Sequence, residues 1–110
     1  MVMENRLYER FNFELPLLYR SLDLKDFLTS KTVNVSMGGF SAEIDLHAHN
    51  GRLLQVKLLL PNEHNIMELM AKLVWARRIG QSKYQAGFEV LDLMVDYNKA
   101  MQNLFSESVF

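Results

Sequence analysis

The hydrophobic period of this chain changes once along its length, and that change most constrains the fold. Residues 15–91 are a succession of short apolar or β-favouring runs separated by turn signals. Residues 96–108 instead repeat Tyr97, Ala100, Met101, Leu104 and Phe105 at helical spacing. The period of two is clearest where Phe40, Ala42 and Ile44 alternate with Ser41, Glu43 and Asp45. Successive side chains of a strand point to opposite faces, so such alternation reads as a half-buried strand. Runs at 15–22, 27–35, 52–60 and 84–91 extend the series. The run 66–78 is ambiguous, because Met67, Leu69, Met70, Ala71 and Leu73 suit a helix by composition. The strand–turn rhythm around it and the β-favouring Val74-Trp75 pair assign it to strand. Turns fall at residues 23–26, Gly38-Gly39, Asn50-Gly51, Pro61-Asn62 and 80–83. Gly87 sits inside a strand run, where a missing side chain signals a bulge or a close approach of backbone. Asp96 is placed to cap the final helix.

Six short antiparallel strands can leave no exposed edge by closing on themselves. The expected fold class is therefore mainly β, a six-stranded antiparallel β-barrel with a C-terminal α-helix lying on it. At 110 residues one domain is expected. It would comprise a flexible N-terminal arm over 1–14, a barrel over 15–92 and a helix over 96–108.

Several functions are disfavoured by what the sequence lacks. A formal net charge of −1 gives no generally basic surface, so binding to DNA or RNA is not expected. With no cysteine there is neither a disulfide nor a thiolate metal site, which fits a reducing compartment. No apolar run reaches membrane-spanning length, and the start lacks the order of a secretory signal. A cytoplasmic protein without membrane insertion is expected. There is no phosphate-binding loop with a lysine, no nucleophile elbow and no zinc spacing. His47 and His49 fall in a polar loop, and His64 lies far along the chain without an evident third ligand. The carboxylates are scattered, so no catalytic residue, metal or cofactor is expected, and the chain does not read as an enzyme.

One constellation remains. Asn34-Val-Ser-Met-Gly-Gly-Phe40 joins two strand runs. Asn34 and Ser36 would share one face of an extended segment. The two glycines allow positive φ and close backbone approach. Read alone, this is a glycine-bearing hairpin turn whose Asn and Ser bond their own backbone. The N-terminal arm adds Arg6 and Arg10, which would share a face if helical and would wrap a ligand if not.

The pair Arg6-Leu-Tyr-Glu-Arg10 and Asn34-Val-Ser36-Met-Gly-Gly39 resembles the PilZ domain family. That family carries Arg-x-x-x-Arg in an N-terminal arm and Asp/Asn-x-Ser-x-x-Gly between its second and third strands. Leu60-Pro61, Val74-Trp75 and Tyr84-x-x-Gly87-Phe88 also look like family positions, so the resemblance runs from about Arg6 to the final helix. It implies a six-stranded barrel that binds cyclic di-GMP. Arg6 and Arg10 would take guanine edges or phosphates, since an arginine fork matches the paired O6 and N7 acceptors. Asn34 would accept from a guanine's N–H groups, Ser36 would donate to a phosphate, and Gly39 would let the backbone approach. Trp75 or Tyr8 is available to stack on a base, although Trp75 reads first as core. The arm would close over the ligand and alter contact with a downstream protein, in motility, adhesion or exopolysaccharide control, the chain itself being a monomer or dimer. The alternatives are a PilZ-like module that binds only proteins, and a small barrel that binds single strands on Arg77-Arg78, Trp75 and Tyr84. Intact motifs argue against the first, and the net charge against the second.

Overall fold

A computed structural model describes residues 10–23, 25–45, 52–60, 65–91 and 94–108. Its elements are β1 (Pro16–Ser21), β2 (Leu28–Val35), β3 (Gly39–Ile44), β4 (Leu53–Leu60), β5 (Asn65–Arg78), β6 (Tyr84–Val90) and α1 (Met94–Ser108). The six strands close into a barrel in the order β1-β2-β3-β6-β5-β4, every pairing antiparallel. The ambiguous 66–78 run is strand throughout. Its length lets it pair β4 through residues 65–72 and β6 through residues 71–78, which closes the sheet on itself.

Alternation decides which side chains fill the barrel. Leu17 and Tyr19, Phe40, Ala42 and Ile44, Leu54, Val56 and Leu58, Leu69, Ala71 and Leu73, and Ala86, Phe88 and Val90 are all buried in one cluster. The helix adds Tyr97, Ala100, Met101 and Leu104 to it, so its apolar face belongs to the core. The helix begins at Met94, which puts Asp96 inside the first turn rather than before it. On the outer wall, Leu59 and Ile66 stand in register and exposed. No helix among the described residues is long and apolar enough to cross a membrane.

Two strands lose register by one residue, β2 between Thr32 and Asn34 and β5 between Leu73 and Trp75. An extra residue in a strand turns everything beyond it to the other face. Continued alternation from Thr32 would point Asn34 inward; instead Val35 is buried and Asn34 is half-buried on the outer wall. Continued alternation from Leu73 would likewise bury Trp75. The bulge pairs it with Gly87, an outward position of β6, and leaves it half-buried outside the core cluster. The expectation of Trp75 as a core residue therefore fails, because nothing in the composition of β5 marks the bulge.

The described end of the N-terminal arm is bonded to the barrel. Phe11 and Val35 exchange both backbone bonds at 2.8 Å. Further along, Thr32 accepts from the Leu15 amide at 2.8 Å and donates its hydroxyl to the Phe13 carbonyl. The Thr32 amide donates to the Leu15 carbonyl at 2.9 Å. Phe11 and Phe13 lie against Phe105 of α1, with centroids 4.1 and 6.1 Å away. From Phe11 onward the segment is a strap fixed on β2 and α1, not a loose arm.

Candidate functional site

The strap fixes where Arg10 can go. Its Nη1 donates to Asn34 Oδ1 at 3.1 Å, a bond between residues 24 apart in sequence. The bridge at Phe11 and Val35 sets that distance, since each is the next residue along from one partner. Arg10 thus reaches the wall that carries Asn34. Arg6 and Tyr8 lie outside the described residues, as do His47, His49 and His64.

Ser36 and Gly39 close the turn between β2 and β3. The Ser36 amide donates to the Gly39 carbonyl at 2.8 Å. The Ser36 hydroxyl donates to that same carbonyl and accepts from the Gly38 amide, both at 3.3 Å. This is the self-bonded turn serine that the residues alone suggested. Asn34 departs from that pattern by holding Arg10. Gly39 lies outside the positive-φ region, and close packing is what demands a glycine there. A Cβ would overlap the Phe88 carbonyl oxygen and stand 3.0 Å from its carbon.

Gly87 plays the part expected of an interior strand glycine. A Cβ there would collide with the Trp75 indole, lying 2.7 Å from Cδ1. The indole therefore lies across Gly87 on the outer wall. Strand register then lines up Asn34, Ser41, Gly87 and Trp75 across β2, β3, β6 and β5. Arg10 stands at the Asn34 end of this row.

Beneath the turn lies Tyr97 of α1. Its hydroxyl is 2.8 Å from the Ser36 carbonyl and 2.7 Å from that of Gly39. Burial pushes the Tyr97 phenol far above its ordinary pKa, so it stays a neutral donor. The helix therefore supports both halves of the site, the turn through Tyr97 and the strap through Phe105.

Sequence reasoning placed Arg10, Asn34, Ser36 and Gly39 near one another, and the structure brings these four to one rim of the barrel. It missed the supporting roles of Thr32 and Tyr97. Tyr97 carries the apolar stripe of a helix, and no pattern says where its hydroxyl ends. Among the described residues no group of His, Asp and Glu could hold a metal ion.

The arrangement offers arginine donors, an amide, a turn of close-packed backbone and an aromatic face on one wall. Such a set suits a planar, anionic, hydrogen-bonding ligand. No curated protein matches the chain in sequence. Among solved structures, it is similar to the Bacillus subtilis inhibitor of motility MotI/DgrA, with TM-score 0.77 and 18% identity over 97% of this chain and 52% of that one. It thus spans about half the length of MotI. It is also similar to the PilZ domain of YcgR from Escherichia coli with c-di-GMP, with TM-score 0.71 and 16% identity over 94% and 91% of the two chains. The PilZ domain of CeSA from a cellulose-synthesizing bacterium matches with TM-score 0.65 and 17% identity over 91% and 98%. The model of the PilZ domain matches residues 4–107, and with the barrel, strap and turn described above it follows that this chain belongs to the PilZ domain family.

Proposed function

We propose that this chain binds cyclic di-GMP on the wall formed by Arg10, Asn34 and the turn from Ser36 to Gly39, and that Arg6 joins them. The observation that supports the reading best is the Arg10–Asn34 bond, which puts a cation and an amide from distant parts of the chain on one rim. A guanidinium has five N–H donors, so contact with Asn34 leaves most of the fork for a guanine edge or a phosphate. Asn34 accepts from a guanine's N–H groups, the Ser36 hydroxyl turns from Gly39 to a phosphate, and Trp75 supplies a stacking face at the far end of the row.

A solved relative was captured with this ligand, the PilZ domain of YcgR. In this chain the strap is bonded from Phe11 onward. The arm closes over the ligand when it binds, bringing Arg6 to the same wall. The bound form presents a changed surface to a downstream protein, and the chain acts as an adaptor rather than an enzyme, in the cytoplasm. Calorimetric titration of wild type and Arg10→Ala with cyclic di-GMP tests this. Loss of one charge-assisted pair weakens binding by about ten-fold or more. Equal affinity for the two proteins removes Arg10 from the site.

A further inference from the structure

Ser41 is the least explained polar group on this wall. It lies between inward-facing Phe40 and Ala42, so its side chain points outward. A serine facing out from a barrel ordinarily meets water. Ser41 is instead 0% exposed, and its hydroxyl has no hydrogen-bond partner among the described residues. Buried polar groups are nearly always paired, so an orphan calls for a reason.

The neighbours supply one. Register places Ser41 directly between Asn34 and Gly87. Gly87 contributes no side chain, and the Trp75 indole lies across it. On the other side Asn34 is held by Arg10. The groups beside Ser41 in this row are thus those that a ligand in the proposed site would engage. Arg10 would turn its remaining donors onto the ligand while keeping Asn34, and Trp75 would lift to stack on it.

We infer that Ser41 is a further ligand-contacting residue, whose hydroxyl bonds a guanine base edge once Arg10 and Trp75 have moved onto the ligand. The inference rests on the cyclic di-GMP reading above. Cross-strand neighbours lie about 5 Å apart, so the Asn34 amide and the Ser41 hydroxyl together form an acceptor and a donor side by side. A guanine edge offers the complementary pair.

The test is Ser41→Ala, read by thermal unfolding without ligand and by titration with cyclic di-GMP. The expected result is a split: an unfolding midpoint above wild type or less than about 5 °C below it, with affinity weakened about five- to ten-fold. Wild-type affinity in Ser41→Ala overturns the assignment. A midpoint lowered by about 5 °C or more also overturns it, since a hydroxyl without a partner contributes too little to the unliganded fold to produce such a fall. Failure of the wild type to bind cyclic di-GMP is a separate result and overturns the parent reading as well.

Discussion

Replacing Tyr97 by Phe removes one oxygen from a site that is 1% exposed. That oxygen has two carbonyl neighbours and a single proton. The Gly39 carbonyl also accepts from the Ser36 amide at 2.8 Å, so the phenolic proton is best directed to the Ser36 carbonyl. Tyr97→Phe leaves that carbonyl buried and short of a donor, at a cost of about 1–2 kcal/mol. For a domain of this size the midpoint of thermal unfolding falls on the order of 5–10 °C. Urea unfolding measures the difference directly, with an unchanged slope if the fold is retained. Because the Ser36–Gly39 turn is part of the proposed site, cyclic di-GMP affinity should fall too. Tyr97→Phe within about 0.5 kcal/mol of wild type, the range of ordinary surface changes, would refute the pinning of the turn by the helix.

Alkaline pH probes the same residue. Above about pH 10 an unfolded chain releases the Tyr97 proton while the folded chain, with its pKa raised by burial, retains it, so stability falls as pH rises from there. Burial also raises the Tyr19 phenol, which adds to the fall; the loss between pH 9 and 11 should be shallower in Tyr97→Phe when followed by urea midpoints. Gly39→Ala should destabilise far more than Gly87→Ala in parallel melts. The first sets a methyl against the Phe88 backbone, whereas the second meets an indole that can swing away. Gly87→Ala should also shift tryptophan fluorescence to the red, Trp75 being the sole tryptophan. Phe105→Ala removes the ring beneath Phe11 and Phe13, at a cost of about 2 kcal/mol for a half-buried aromatic. Amide exchange at Phe11 and Val35 should quicken with it.

Strand number, strand limits and the final helix were legible because each rests on a local period. Phe40 to Ile44 announces its inner face, and Tyr97 to Phe105 announces its stripe. Even the 66–78 run yielded to the rhythm of its neighbours. The proposed site was legible only as residue types in order. What stayed hidden are the two bulges, since a one-residue slip in pairing leaves no mark in composition. They put Asn34 and Trp75 outside, and Trp75 was misread for that reason. Polar contacts over long separations stayed hidden too. Thr32 reads as a β-branched strand residue, yet it anchors the strap through both its hydroxyl and its amide. Gly39 was read as room for a ligand, and the fold gives it a second reason in the Phe88 carbonyl.

The most direct test of the account is where cyclic di-GMP lands on the barrel. Amide chemical-shift mapping during titration should move Arg10, Asn34, Ser36, Gly39, Ser41, Gly87 and the Trp75 indole together, while Leu59 and Ile66 on the far wall stay still. Shifts confined to that far wall, or none at saturating ligand, would contradict it.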